Sequence, residues 1–168
     1  MFSFFTVKAK NTKEKVLLEI DELEKVLKLS KKLTNKQIGR LAKYLRKHPP
    51  AERYNLISAD IQQALATDET IPSDFNVKSI QVEMRIANFR AGEMVSREKS
   101  KKAGITHVSI TFTPDVEYCE TAQKYRKKYD GKVVRIKDAP IFPLMTCYNC
   151  NNCTRFVHVK RLVRGIDY

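Results

Sequence analysis

The stretch from 77 to 113 decides the fold; it is VKSIQVEMRIANFRAGEMVSREKSKKAGITHVSITFT. Gly104 divides it into two parts with different apolar spacing, and glycine is suited to cap the end of a helix. Before Gly104, apolar residues recur every three or four positions, as on one face of an amphipathic helix: Ile80, Met84, Ala87, Ala91 and Met94. After it, alternate residues are apolar, which predicts a half-buried strand: Val108, Ile110 and Phe112. A long helix followed by a strand indicates an α+β fold.

Upstream of this stretch the sequence predicts only helices. The segment from Lys13 to Leu33 carries an apolar stripe, and a second helix from about Lys36 follows a cap at Thr34 or Asn35 and stops at Pro49-Pro50. A third helix is predicted over 51–66. The acidic, turn-rich segment 67–76 then forms the best domain boundary. We therefore predict a basic helical N-terminal region at 1–70 and an α+β module with a Cys cluster at 77–168.

Downstream, short elements alternate. Val116 to Tyr129 favours a helix, Asp130-Gly131 a turn, and Lys132 to Ile136 a strand; a last strand is predicted in 155–163. An irregular segment and a Cys-rich loop lie between these strands. The fold class predicted is thus α+β, with N-terminal helices followed by a long helix and a small, few-stranded sheet.

The charge of the chain points to a polyanionic partner. Its 32 basic and 19 acidic residues give a net charge of +13, which suits non-specific contact with the phosphates of double-stranded DNA. The run from Lys124 to Lys137 has seven basic residues and one acid, and in it we predict six nucleic-acid-binding residues: Lys124, Arg126, Lys127, Lys128, Lys132 and Arg135. Lys25 to Lys47, with nine basic residues and no acid, is a second candidate surface. No apolar run approaches the roughly 18 residues that span a membrane, so no membrane partner is expected.

Cysteine spacing predicts a metal site. Three cysteines recur at intervals of three near the end of the sequence, and one more lies upstream; together they would make a four-thiolate zinc site: Cys119, Cys147, Cys150 and Cys153. We expect one structural zinc ion and no other cofactor, with His158 as a substitute ligand if one cysteine is a bystander. An iron–sulfur cluster, free thiols or a disulfide remain alternatives.

The order of elements in the second half resembles the C-terminal region of the phage Mu F-like minor head proteins, which act in head morphogenesis of tailed phages. The resemblance covers about 77–153 and rests on an ordered set of residues, none of them specific alone: Arg85, Gly92, Ala103-Gly104, Pro114-Asp115, Cys119, Asp130-Gly131-Lys132-Val133 and Ala139-Pro140. This chain departs from that pattern in lacking a second cysteine three residues after Cys119 and a His-Pro step before Cys147.

The resemblance implies a minor structural protein of the virion, associated with the portal or the head interior and with packaged DNA. Its partners would be the portal or other capsid proteins, and it would pass through the host cytoplasm during assembly. The alternative is a zinc-ribbon-like nucleic-acid-binding protein, such as a regulator or a ribosome-associated factor. No Gly-rich phosphate loop, nucleophile elbow or His-Glu-x-x-His motif occurs, and we predict no enzymatic activity.

Overall fold

The computed structural model of the protein describes residues 3–47, 77–149 and 156–162. These ranges hold four α-helices and a three-stranded antiparallel sheet, which confirms the predicted α+β class. The helices are α1 (Ser3–Ser30), α2 (Asn35–Lys47), α3 (Gln81–Lys102) and α4 (Glu120–Tyr129). The strands are β1 (His107–Phe112), β2 (Lys132–Arg135) and β3 (Val157–Leu162), and short 3₁₀ turns cover Val77–Ile80 and Met145–Asn149. The predicted helix at 51–66, the boundary at 67–76, and Cys150 and Cys153 of the Cys-rich loop lie outside the described residues.

Helices α1 and α3 form an antiparallel pair. Lys32, just beyond α1, reaches the start of α3, where its ammonium lies 2.8 Å from Glu83 Oε1, and Glu19 near the middle of α1 accepts a hydrogen bond from Asn88. The predicted α1 stripe is buried in this contact: Val16, Ile20, Leu23 and Leu27. Burial of this stripe therefore stabilises α1.

Helix α2 begins with a capping box. Thr34 Oγ1 accepts a hydrogen bond from the Gln37 N–H at 3.3 Å, and Gln37 Oε1 accepts one from the Thr34 N–H at 2.8 Å. The two side chains thus satisfy backbone donors that the first helical turn leaves without partners. The predicted cap at Thr34 is confirmed, and Ile38, Leu41 and Leu45 are buried as expected.

Helix α3 ends in a Schellman motif at Gly104. Gly104 has φ +79°, its N–H donates to the Lys101 carbonyl, and the Ile105 N–H donates to the Ser100 carbonyl. Only glycine adopts this left-handed conformation without a steric penalty from Cβ, so the predicted cap is confirmed. The chain changes direction at Gly104 and continues directly into β1.

The central strand of the sheet is β1, in the order β2-β1-β3. In β1 the residues predicted to face inward, Val108, Ile110 and Phe112, are at most 2% exposed. The register pairs His107 with both Arg135 and Leu162, and Ser109 with both Val133 and Lys160. One face of the sheet is therefore packed and the other faces solvent.

Two apolar clusters make up the described core. The helical cluster joins α1, α2 and α3, and the sheet cluster joins β1, α4 and the segment 136–147. Val26 of α1 and Ile86 of α3 belong to the sheet cluster, so the described parts of the two predicted regions share the α1–α3 pair.

Helix starts differ from the sequence prediction in three places, one of them α3, which begins at Gln81 because the first four residues of its predicted span form a 3₁₀ turn. Helix α1 starts at Ser3 instead of Lys13, and α4 starts at Glu120 instead of Val116. Tyr118 explains the difference at α4, because its ring packs edge-on against Phe112 at 5.4 Å and its hydroxyl donates to the carbonyls of Thr113 and Phe156. These contacts hold the chain extended until Cys119, the N-cap of α4. Among the described helices, none is long and apolar enough to cross a membrane.

Candidate nucleic-acid interface and thiol pair

Helix α4 carries most of the predicted phosphate contacts, and three packed side chains fix its orientation. Ala122 is fully buried against the sheet, and the rings of Tyr125 and Tyr129 stack at 5.7 Å. Tyr125 also packs edge-on against Phe142 at 6.1 Å. The tyrosines, four residues apart, are therefore part of the packed face of α4, and the lysines point the other way.

The turn after α4 is held by a side chain and a glycine. Asp130 Oδ1 accepts a hydrogen bond from the Phe112 N–H at 2.8 Å, and the Gly131 N–H donates to the Ile110 carbonyl. Gly131 has φ +69°, the left-handed conformation that favours glycine. These contacts join α4 and β2 to β1 and so fix where the basic residues lie.

Four predicted contact residues lie on α4. Lys124, Lys127 and Lys128 are exposed, and Lys127 makes no ion pair with a described residue. Lys124 pairs with Glu120 at 2.7 Å on the surface, and Lys128 lies 5.1 Å from the centre of the Tyr129 ring. Arg126 is half-buried, with its guanidinium 5.8 Å from the Tyr118 ring centre and 3.5 Å from Asp130 Oδ2. The outward side of α4 is thus a basic ridge, which we define as Lys124, Lys127 and Lys128.

Strand β2 carries the other two predicted residues, Lys132 and Arg135, both exposed. Arg135 pairs in register with His107 and so lies on the solvent-facing side of the sheet, whereas α4 packs against the opposite side through Ala122. The structure therefore does not bring Arg135 together with the basic ridge.

The open face of the sheet is a second basic surface. Its described side chains include no acid and are, by register, His107, Ser109, Thr111, Val133, Arg135, His158, Lys160 and Leu162. Lys160 was missed as a contact residue, although the alternation of apolar residues in the last strand places it outward. Lys160 and Arg135 flank β1 on this face.

The candidate surface between Lys25 and Lys47 is less uniformly basic than its sequence suggests. Arg46 pairs with both Asp21 and Glu24 at 2.8 Å, and these hydrogen bonds raise the pKa of its guanidinium. Hydrogen bonds from Lys28 and Arg46 lower the pKa of Glu24. Acids of α1 therefore offset part of the positive charge at the contact between α1 and α2.

Two of the four predicted thiolate ligands lie side by side. Cys119 Sγ and Cys147 Sγ are 3.6 Å apart, with Cys147 fully buried and Cys119 partly so. This separation is too long for a disulfide, whose S–S bond is about 2.0 Å. Two thiolates on one tetrahedral zinc, each about 2.3 Å from the metal, stand about 3.8 Å apart. The pair therefore fits one edge of a zinc tetrahedron.

The remaining ligands are not placed by the structure. Cys150 and Cys153 lie outside the described residues, and within the described ranges no group of three or more His, Cys, Asp or Glu side chains could hold a metal ion. His158, the substitute ligand, lies on the open face of the sheet with Nε2 3.5 Å from Thr113 Oγ1. Cys147 belongs to the cluster under the opposite face, so His158 is not brought to it.

Two buried arginines of α3 were missed by sequence reasoning. Arg90 Nη1 donates to the carbonyls of Ile141 and Pro143, each at 2.8 Å. Arg97 donates to the carbonyls of Ile136, Ala139 and Pro140. Their spacing of seven residues places both on one helix face. Together they donate hydrogen bonds to backbone carbonyls of an irregular segment that pairs with no described strand.

Comparison with known proteins adds no relative: no family model matches the chain, and no curated protein or solved structure matches it either.

Proposed function

We propose that this chain is a minor structural protein of a tailed-phage virion, associated with the portal or head interior and with packaged DNA. The observation that carries the DNA part is the basic ridge on α4, whose ammonium groups stand on the solvent side of a helix fixed to the sheet. The virion part rests on the ordered set of residues shared with the Mu F-like minor head proteins.

The structure gives several members of that ordered set a physical role. Gly104 and Asp115 have positive φ, at +79° and +58°, and Asp130 and Gly131 hold the turn that enters β2. The carbonyls of Ala139 and Pro140 accept hydrogen bonds from Arg97. These members of the ordered set therefore serve the backbone path of this chain.

DNA contact through the ridge is sequence-indifferent. Lysine ammonium groups attract phosphates without reading base edges, so affinity should fall steeply with salt. Charge reversal at Lys127 and Lys128 should flatten the salt dependence of duplex affinity by about two in logarithmic slope and weaken all sequences equally. Charge reversal at Lys99 and Lys102, exposed near the end of α3, gives the same change in net charge away from the ridge. An unchanged salt dependence of duplex affinity in the ridge variant would contradict this part of the proposal.

Zinc binding is the second part of the proposal. Cys119 and Cys147 would supply two thiolates at the observed separation, and Cys150 and Cys153 are the candidates for the other two. The metal would brace a small sheet unit and would have no role in a reaction. Cobalt(II) added to the metal-free chain should give the thiolate charge-transfer bands of a tetrahedral site, and Cys147→Ser should weaken them. A chain that binds neither zinc nor cobalt would remove the metal from the proposal.

The alternative is a free zinc-ribbon-like nucleic-acid-binding protein, which would use the same thiol pair as zinc ligands. This alternative predicts that the isolated chain binds tightly to a preferred sequence or RNA structure. The virion hypothesis predicts weak, salt-sensitive and sequence-indifferent binding. Selection of bound sequences from a random pool separates the two, since only the alternative enriches a motif.

The decisive experiment is mass spectrometry of density-purified virus particles from the source organism, with this chain counted against the major capsid protein. A few copies per particle that survive a high-salt wash are expected. If the chain is absent from particles and free in the lysate, the virion role is wrong and the nucleic-acid-binding alternative takes its place.

A further inference from the structure

A cavity of about 530 Å³ opens between α3, α4 and the irregular segment that follows β2. Among the described residues, the polar part of the lining consists of three cations and three hydroxyl groups, with no acidic side chain: Arg90, Arg97, Lys137, Thr121, Tyr125 and Thr146. Its apolar wall comes from the segment that the two arginines hold, including Ile141, Leu144 and Met145. The cavity thus combines an apolar wall with a cationic one, and its volume is in the range of small-molecule sites.

The arginines of the cationic wall are fixed before any ligand arrives. Arg90 and Arg97 are each 7% exposed. Arg90 uses Nε for Glu22 and Nη1 for two carbonyls, and its Nη2 has no hydrogen-bond partner among the described residues. A buried guanidinium that is held at one end and has donors to spare at the other is pre-organised for an oxyanion, because little conformational entropy is lost on binding.

The charged side chains of the cavity lining are all cationic. Arg90 and Arg97 each pair with one carboxylate, Glu22 and Glu93, and these carboxylates also pair with Lys25 and Arg161, which lie outside the lining. Each carboxylate is therefore shared between two cations. Lys137 adds a positive charge at the rim, where it is exposed and makes no ion pair with any described residue. An anion entering the cavity would meet these cations partly shielded from water, where charge-assisted hydrogen bonds are strongest.

We propose that this cavity binds the phosphate group of a ligand of about mononucleotide size. The phosphate oxygens would accept hydrogen bonds from the guanidinium of Arg90, the ammonium of Lys137 and the hydroxyls of Thr121 and Thr146. The rest of the ligand would pack against the apolar wall. The phosphate comes either from a free nucleotide or from the 5′ end of a nucleic-acid strand. The site is distinct from the basic ridge and does not depend on the virion role.

The test uses the full chain and adenosine 5′-monophosphate as the probe, with binding followed by calorimetry. One site per chain is expected, and Lys137→Glu should weaken binding at least tenfold, whereas Lys137→Arg should retain it. Lys137 is exposed and its side chain makes no ion pair or hydrogen bond with a described residue, so its variants should fold. Lys43→Glu is the matched control, because Lys43 is exposed on α2 and lines no part of the cavity. Charge reversal of the ridge at Lys127 and Lys128 should leave the probe's affinity within twofold.

Competition with two short DNA strands, one with and one without a 5′-phosphate, shows whether the bound phosphate comes from a free nucleotide or from a strand end. If only the phosphorylated strand competes with the probe, the site accepts a strand end as well as a free nucleotide. If neither competes, it takes the free nucleotide alone. If only the phosphorylated strand binds and the mononucleotide does not, the ligand is a strand end. No saturable binding of the probe or the phosphorylated strand would overturn the proposal, as would an equal loss in Lys43→Glu. These outcomes do not depend on whether the chain is found in virus particles.

Discussion

The helical and sheet regions of the molecule are stabilised in different ways. In the helical cluster, leucines and isoleucines from α1 and α2 pack with Met84 and Ala87 of α3 at regular helical spacing. The sheet cluster has three short strands, edge-on aromatic contacts around Phe112 and Phe142, and an irregular segment tied to α3 by Arg90 and Arg97. Regular elements satisfy their own backbone groups, and irregular ones need side chains to do so. A single polar residue therefore matters more in the sheet region.

The largest effect is expected for Arg97→Leu, which would break the sheet region selectively. The variant leaves three carbonyls without their donor and removes one partner of Glu93, and we expect a loss of about 4 kcal/mol in the free energy of unfolding. Urea denaturation measures the loss, and hydrogen exchange should show β1 amides less protected than those of α2. Lys101→Leu, at an exposed position on the same helix, is the control and should change stability by under about 0.5 kcal/mol. Equal effects of the two variants would remove the distinction between the regions.

Leu27→Ala tests the helical region in the same way. Leu27 is fully buried in the helical cluster, so a cavity should cost about 3 kcal/mol. Leu29, two residues away and 43% exposed, provides the matched control, and Leu29→Ala should cost well under about 1 kcal/mol. Amide protection should fall first in α1 and α2. If β1 loses protection first, the two clusters are less independent than their packing indicates.

Thr34→Ala should cost about 1 kcal/mol, because it removes the hydroxyl that caps α2. Thr34→Ser keeps the hydroxyl and should be nearly neutral. Thermal unfolding, monitored by circular dichroism, is precise enough to measure this difference in stability. A loss in both variants would mean that the methyl group of Thr34 matters and the cap does not.

Glu19→Gln should raise stability slightly, by about 0.5 kcal/mol at neutral pH. Burial raises the pKa of Glu19, and this effect outweighs the hydrogen bond from Asn88 and the charge of Lys15, both of which lower it. The Oε1 atom of Glu19 is buried and accepts no hydrogen bond from a described residue. Because the folded pKa lies above the unfolded one, ionisation of Glu19 costs stability as pH rises through that interval.

The gain from Glu19→Gln should therefore be present at neutral pH and shrink as pH falls below the ordinary carboxyl range, where both side chains are neutral. Denaturant titrations at several pH values measure this. A gain that is independent of pH would show that the charge of Glu19 is not its cause. Glu24→Gln is the opposite control, because hydrogen bonds lower the pKa of Glu24 and the variant should lose stability at neutral pH.

The helical region was predictable because its apolar positions repeat locally. The stripes of α1 and α2, the Thr34 cap and the Gly104 cap each depend on residues fewer than twelve positions apart. The inward residues of β1 follow from strict alternation in the same way. Segments with local signals of this kind need no knowledge of distant contacts.

The polar contacts were not predictable, because they join residues far apart in sequence. Arg90 and Glu22 are separated by 68 positions, and charged residues within a helical pattern are ordinarily assigned to the solvent side. The position of Arg135 depends on the register of β2 against β1, which no local pattern specifies. Proximity of Cys119 and Cys147 agrees with the predicted ligand set, and the metal itself stays a prediction.

The strand order has a consequence for synthesis of the chain. The central strand β1 precedes both of its neighbours in sequence, and its second edge is paired only by β3. While the ribosome is making the residues between 113 and 157, β1 has at best one of its two edges paired. Most of the α1–α3 pair has been synthesised by then, and its Val26 and Ile86 belong to the cluster under the apolar face of β1. Early helix pairing would thus cover the apolar face of the nascent strand before β3 closes its second edge.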